Sequence, residues 1–140
     1  MKKLNLIPGI LLLLAGTFTA CETEGDPVKG DPVKEVATIL MNGPWYFFSS
    51  DGLEGYDCNK QTNMRFHANG TLEINGYIRE PDYTCSGPHL LEYKYVLRDN
   101  DTKIEWEGEL FTIVKLTETE FIKSANRNGK NHVWVYRRYL

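Results

Sequence analysis

Side chains suited to acid–base or nucleophilic chemistry are scattered along this 140-residue chain. The three histidines could act as bases near neutral pH, but His67, His89 and His132 lie far apart in sequence. No serine occupies the Gly-x-Ser-x-Gly pattern that exposes a hydrolase nucleophile, and no glycine-rich phosphate loop occurs. We therefore expect a protein that is not an enzyme and needs no cofactor, with His67 and His132 as bystanders at outward or rim positions.

The aromatic side chains are a better indication of function, since the chain has eight Tyr, six Phe and three Trp. Five of them could line the interior of a small β-barrel: Trp45, Phe66, Tyr93, Tyr95 and Trp106. Core packing alone would explain them. The alternative is a hydrophobic or amphipathic ligand in the barrel mouth, oriented by the tyrosine hydroxyls.

The first twenty residues have the pattern of a secretory signal. Lys2 and Lys3 precede an apolar run at positions 4–14, and small residues follow up to Ala20. The run is too short to span a membrane as a mature helix. The sequence therefore predicts a signal peptide at residues 1–20.

The next residue, Cys21, carries a resemblance. The run Phe18-Thr19-Ala20-Cys21 resembles the lipobox of bacterial lipoproteins, with Phe18 in place of the more usual Leu. That resemblance implies cleavage before Cys21, a diacylglycerol on its thiol and acylation of the new amine by chains such as palmitate. Several acyl chains together would anchor the protein firmly to a membrane. An ordinary signal peptide that leaves Cys21 as a spare thiol is the alternative.

Residues 21–34 are predicted to be the lipidated cysteine and a flexible tether. A five-residue repeat, Gly-Asp-Pro-Val-Lys, occurs twice in tandem at 25–34 and has no apolar face to bury. Acidic residues just after Cys21 loosely resemble signals that send some Bacteroidetes lipoproteins to the cell surface. We expect an exported protein anchored to the bacterial outer membrane, on its periplasmic face or at the cell surface.

With Cys21 lipidated, two cysteines remain for an oxidising compartment. A disulfide between Cys58 and Cys85 would close a loop of about 28 residues and stabilise the fold by roughly 3–4 kcal/mol. A metal site using His67 or His89 is the alternative, but no Cys-x-x-Cys or His-x-x-x-His spacing supports it. We therefore predict the disulfide and no metal site.

Residues 35–140 are predicted to form one all-β domain behind a short helix. The helix has an apolar face from Val33 to Met41 and ends at Asn42-Gly43-Pro44, where it would cap the barrel. Period-two alternation and turn residues then predict eight strands. Those strands lie at residues 45–50, 63–68, 71–78, 89–98, 102–107, 109–116, 119–125 and 130–139, with long loops at 51–62 and 79–88. An antiparallel up-and-down barrel is the simplest arrangement, and a two-sheet sandwich is the alternative.

The strand order carries a second resemblance. Gly43-Pro44-Trp45 looks like the Gly-x-Trp motif of lipocalins, and Arg137 or Arg138 matches the place where lipocalins put an arginine over that tryptophan. A longer pattern, from Cys58-x-Lys60 to Phe111-x-Ile113-x-x-Leu116, resembles the lipocalin-like domains of Bacteroidetes lipoproteins. The resemblance implies a lipocalin-like barrel with Gly43, Trp45, Arg137 and Arg138 as structural residues, and a membrane tether.

Two functions follow as expectations. The first is a membrane-tethered binding protein for a small hydrophobic or amphipathic molecule, with loops 51–62 and 79–88 forming the rim. The second is a packed barrel that acts as a protein-interaction module or inhibitor in the cell envelope and has no small ligand. The net charge of −3 argues against nucleic acid as a partner, because a basic surface would be needed.

Overall fold

The computed structural model describes residues 32–139, with side chains described from residue 35. The predicted signal peptide, the lipidation at Cys21 and most of the tether lie outside the described residues. The elements in chain order are α1 (Pro32–Met41), β1 (Trp45–Ser50), β2 (Leu53–Glu54), α2 (Asp57–Gln61), β3 (Asn63–Phe66), β4 (Thr71–Arg79), β5 (Cys85–Arg98), β6 (Lys103–Trp106), β7 (Glu109–Leu116), β8 (Glu120–Arg127) and β9 (Lys130–Arg137).

The strands form a closed antiparallel barrel in up-and-down order. From β3 to β9 each strand pairs with the next along the chain, and β1 pairs with both β3 and β9 to close the ring. The two-residue β2 pairs with the end of β1, at Ser49 and Ser50, while β3 pairs with its start, at Trp45 and Tyr46. The barrel is therefore eight-stranded, as predicted, and β2 is a short hairpin arm beside it.

The interior nearest α1 is filled by aromatic side chains. Trp45 is fully buried and meets Phe121 edge-on at 5.7 Å between ring centroids. Phe66 is likewise buried, with edge contacts to Tyr95 at 5.1 Å and to Phe121 at 6.0 Å. Edge-to-face contacts of this kind are a preferred arrangement of aromatic pairs.

Helix α1 covers this end of the barrel. Its Leu40 is fully buried, and the Leu40 carbonyl accepts a hydrogen bond of 2.9 Å from the Trp45 indole nitrogen. This end is called the capped end below. The opposite end, bounded by residues 51–62, 80–84, 107–108 and 128–129, is called the open end.

The two predicted loops differ most from the structure. The stretch 51–62 is not a plain loop, since it holds β2 and the single-turn helix α2. Five helical residues carry too little periodicity to be recognised, and α2 is held by packing on β1 and β4. The loop 79–88 shrinks to residues 80–84, because Arg79 pairs with Cys85 and Ile78 with Ser86. The other strand ends differ from prediction by no more than about two residues.

The early start of β5 depends on close backbone approach at Gly87. Its φ is +137°, and a Cβ there would lie 2.6 Å from the Gly76 carbonyl oxygen on β4. The register between β4 and β5 shifts at this point. A Gly-Pro pair normally indicates a loop, but here it lies at an irregularity within the strand pair, where proline is tolerated.

Candidate binding site at the open end

The disulfide predicted between Cys58 and Cys85 is confirmed. The two Cα atoms lie 5.4 Å apart, and the bond joins residues 27 positions apart. It ties α2 to the first residue of β5, so the segments predicted to form the rim are covalently linked. Cys58 is the buried residue of α2, whereas Cys85 is exposed on β5.

Beside the bridge is a half-open cleft of about 480 Å³ between α2 and the β4–β5 hairpin. Its lining consists of Gly55, Tyr56, Asp57, Cys58, Arg79, Tyr83 and Cys85. The volume falls within the range of roughly 300–1,000 Å³ that is typical of small-molecule sites. These residues are called the cleft below.

The cleft presents a guanidinium between two aromatic rings. The Arg79 guanidinium carbon lies 4.2 Å from the ring centroid of Tyr83 and 4.9 Å from that of Tyr56. Both rings remain largely exposed, at 65% for Tyr56 and 73% for Tyr83. Exposed aromatic faces beside a cation can stack on a flat or apolar group while the cation binds a polar one.

A second cation that contacts aromatic rings, the Lys123 ammonium group, lies on the inner face of the barrel. The Lys123 ammonium nitrogen lies 3.5 Å from the Phe111 ring centroid, 4.0 Å from that of Trp106, 5.0 Å from Trp134 and 5.9 Å from Tyr136. We call these four rings the aromatic wall. Burial lowers the pKa of Lys123 to about 7, although the nearby Glu109 carboxylate acts in the opposite direction.

Hydrogen bonds at the open end lower the pKa of two carboxyl groups, those of Glu109 and Asp51. Glu109 binds Arg127 on β8 through both carboxylate oxygens, which lowers the Glu109 pKa. Asp51 accepts a hydrogen bond of 2.8 Å from the Val133 backbone N–H and contacts the His132 Nδ1 at 2.8 Å. These bonds lower the pKa of Asp51, the backbone bond most of all.

The five tentatively predicted ligand residues do not line the cleft. Trp45 and Phe66 lie in the packed core near the capped end, and the Tyr95 hydroxyl donates to the His67 carbonyl there at 3.1 Å. Tyr93 is half-buried on β5, and Trp106 stacks on Phe111 at 4.3 Å as part of the aromatic wall. Of these five residues, Trp106 is the one whose ring contacts the buried Lys123.

The predicted arginine over Trp45 is Arg138. Its guanidinium carbon lies 4.2 Å from the Trp45 ring, while its nitrogens donate to the carbonyls of Ile39 and Glu118 at 2.9 and 2.8 Å. Gly43 faces this arginine with φ at +128°, a conformation that suits glycine. Arg137 points away and lies over Phe48 at 3.5 Å.

Tyr56, Arg79, Tyr83 and Lys123 were not predicted as site residues. The first three lie where the sequence indicates only loops. Lys123 carried a usable signal, because it alternates in phase with Phe121 and Ala125 and so falls on the inward face of β8.

Among residues 35–139, no group of three or more His, Cys, Asp or Glu side chains is placed to hold a metal ion. Each histidine has a different polar neighbour: Glu73 for His67, Ser86 for His89 and Asp51 for His132. Neither described helix has the length and apolar character needed to cross a bilayer.

Comparison of the chain with protein-family models and with curated protein sequences found no match. The barrel itself, with eight antiparallel strands in up-and-down order, is consistent with a calycin-like fold. A shared fold does not by itself specify a ligand.

Proposed function

We propose that this protein is a membrane-tethered, lipocalin-like binding protein that takes a small hydrophobic or amphipathic molecule in the cleft. The observation that carries the proposal is the cleft of about 480 Å³, lined by Tyr56, Arg79 and Tyr83 together with the two cysteines of the disulfide. Its role is binding without catalysis.

The chemistry of the cleft favours an amphipathic ligand. The two tyrosine rings offer apolar faces, and Arg79 and Asp57 offer charged groups within the same concave surface. In the described part of the chain, no carboxylate forms an ion pair with Arg79, so its donors are available to a ligand. The bridge holds both walls in place before a ligand arrives, which reduces the entropy lost on binding.

The tether follows from the residues outside the described part of the chain. A lipidated Cys21 and the polar repeat behind it would hold the barrel beside the outer membrane, on the periplasmic face or at the cell surface. Metabolic labelling with an alkyne analogue of palmitate tests this: the wild-type chain should take up label, and Cys21→Ala should not. Equal labelling of the two would overturn the tether.

Binding is tested by fluorescence titration of the full chain with N-phenyl-1-naphthylamine, an uncharged apolar probe. We expect saturable binding that Tyr56→Ala weakens about tenfold, equivalent to about 1.4 kcal/mol for one lost aromatic face. The matched control is Tyr139→Ala, which removes a similarly exposed ring outside the cleft and should leave affinity unchanged. Non-saturable binding, or equal loss in both variants, would overturn the proposal.

A second function, protein interaction in the cell envelope, is favoured by one observation. The hairpin arm exposes Leu53 at 77%, three residues before the exposed Tyr56, and such an exposed apolar side chain can anchor a partner. Cross-linking in intact cells, with a photoreactive residue at position 53, tests this function. A discrete cross-linked band supports it, and its absence counts against it.

A further inference from the structure

Strand β5 runs well beyond its neighbour β6 at the open end of the barrel. β6 ends at Trp106, which pairs with Tyr95, whereas β5 already begins at Cys85. In the part of the chain that the structure describes, residues 86–94 therefore lie beside β4 alone. We call residues 86–94 the free edge.

The free edge is exposed on both of its faces. From residue 93 to residue 98, where β6 lies alongside, partly buried and exposed residues alternate, whereas residues 87–92 are all exposed. Leu90 is 58% exposed and Leu91 is 47% exposed. Because successive side chains of a strand point to opposite faces, each face of the free edge presents one leucine.

Polar and irregular features flank these two leucines. Exposed sheet edges are normally protected by charge, proline or a bulge. Here Pro88 lies on one side, at the point where the β4–β5 register shifts, and Glu92 and Lys94 lie on the other. The free edge is thus apolar at its centre and polar towards its ends, which is the usual arrangement of a protein–protein interface.

The backbone of the free edge offers hydrogen bonds on the side away from β4. Tyr95 donates its N–H to the Gly70 carbonyl at 2.9 Å, on the β4 side. Since the direction alternates along an antiparallel ladder, Leu90, Glu92 and Lys94 direct their N–H and C=O groups to the other side. Within the described residues, no backbone hydrogen bond reaches those groups. They form a template for one more strand.

We propose that the free edge pairs with the free edge of a second copy of this chain, antiparallel and around a two-fold axis at Leu90. This goes beyond the proposed function, because it assigns an interaction surface that shares no residue with the cleft. A two-fold pairing is closed: each edge covers the other, and no free edge is left for a third copy.

The position of β6 favours a second copy over an unrelated strand. An antiparallel strand on the free edge meets the turn at 107–108 once it passes Lys94, so it must end or bend there. With Leu90 opposite Leu90, Lys94 lies opposite Ser86 of the second copy. Strand β5 of that copy begins just before this point, at Cys85, after a turn. Its length therefore fits the space that β6 leaves.

The same register brings compatible side chains together. Leu90 meets Leu90 on one face, while Leu91 lies opposite His89 on the other. Glu92 lies opposite Pro88, so no like charges face each other. A register centred on Glu92 would instead oppose two glutamates and would move the second copy into the space that β6 occupies.

Sedimentation equilibrium of the full chain in detergent tests the pairing. We expect a species of twice the mass of one chain, and Leu90→Lys should weaken its association about tenfold or more, because the axis places two lysines opposite each other. The matched control is Val114→Lys on β7, at a side chain that is 57% exposed, and it should leave the association unchanged. A monomeric wild type, or equal effects of the two variants, would overturn the inference.

A mixing experiment tests the register itself. Leu90→Lys and Leu90→Glu should each be monomeric, whereas an equimolar mixture of the two should dimerise again, since lysine then faces glutamate. A mixture that stays monomeric would contradict the two-fold axis at Leu90.

Glu92→Pro tests the backbone contribution. Proline removes an N–H that points away from β4, so the urea midpoint of the monomer should stay close to that of the wild type while dimerisation weakens about tenfold or more. Undiminished dimerisation in a folded Glu92→Pro variant would overturn the strand pairing.

Cross-linking in intact cells, with a photoreactive residue at position 90, identifies the occupant of the edge. A band at twice the mass of the chain supports the second copy. A band of any other mass, which would mean a different partner, or no band at all, would overturn the inference.

Discussion

Arg137 and Arg138 are adjacent at the end of β9, but only the second is buried. Arg138 is buried over Trp45 and donates to two carbonyls that no strand pairing satisfies, one from α1 and one from the β7–β8 turn. Arg137 is exposed, and its contact with Glu120 is a long 3.9 Å. The guanidinium of Arg138 therefore joins the last strand, the capping helix and the core tryptophan.

The first prediction compares these two positions. Arg138→Met should lower the free energy of unfolding by about 2–4 kcal/mol, since it removes a cation–π contact and the guanidinium hydrogen bonds to the Ile39 and Glu118 carbonyls. Arg137→Met should change it by less than about 1 kcal/mol, as is usual for exposed ion pairs. Urea denaturation measures both. Equal losses would show that Arg138 does not hold the capped end together.

The second prediction concerns the stability cost of Lys123. Its pKa is about 7 in the folded protein and near 10.5 when the chain is unfolded, so the unfolded state binds the proton more tightly. The cost is thus fully present below pH 7 and is relieved as pH rises from 7 towards 10.5. Lys123→Met should be more stable than the wild type by about 2–4 kcal/mol at pH 6, with the advantage shrinking by pH 9.5.

Thermal or urea unfolding of both proteins across that pH range measures the difference. Lys115→Met, at an exposed lysine paired with Glu120, is the control and should show no such pH dependence. A constant difference between Lys123→Met and the wild type at every pH would contradict the account.

At the scale of elements, the open end depends on α2 and its covalent link. Helix α2 has five residues, too short to be stable alone, and it packs on β1 and β4 while Cys58 binds Cys85. Gly55, just before it, lies so close to Phe47 that a Cβ would come within 2.7 Å of the ring. The cleft wall is thus built by tertiary contacts rather than by local propensity.

The third prediction removes that link. The double variant Cys58→Ser with Cys85→Ser should lose about 3–4 kcal/mol of unfolding free energy, because the bridge closes a loop of about that entropic cost. It should also lose most affinity for N-phenyl-1-naphthylamine, since the walls of the cleft would no longer be held together. Guanidinium denaturation and the probe titration check the two effects. Full affinity in the double variant would show that the bridge does not shape the cleft.

The same elements mark the limit of what the sequence can predict. β1, β7 and the β3–β4 turn were predictable because alternation and an Asn-Gly pair act locally. The helix α2 and the start of β5 were not, because each depends on a distant partner: Cys85 for α2, and Gly76 for the Gly87 backbone. The cleft residues Tyr56, Arg79 and Tyr83 lie next to α2 and the start of β5. Their positions could therefore not be predicted from the sequence either.

At the scale of the whole molecule, helix α1 covers the capped end of the barrel, and the cleft lies at the open end. Trp45, Leu40 and Arg138 close one end with buried contacts. The other end presents two cations on aromatic faces, Arg79 in the cleft and Lys123 on the inner wall. Closure of the strands removes most exposed sheet edges, and the binding site that we propose lies at the open end.

The most direct test of small-molecule binding at the open end is a titration of the ¹⁵N-labelled protein with N-phenyl-1-naphthylamine, followed by amide chemical shifts. The account predicts saturable shifts concentrated in residues 53–61 and 79–86, around the cleft. Shifts concentrated at the capped end, in residues 99–102 and 117–119, or no saturable shifts at all, would contradict it.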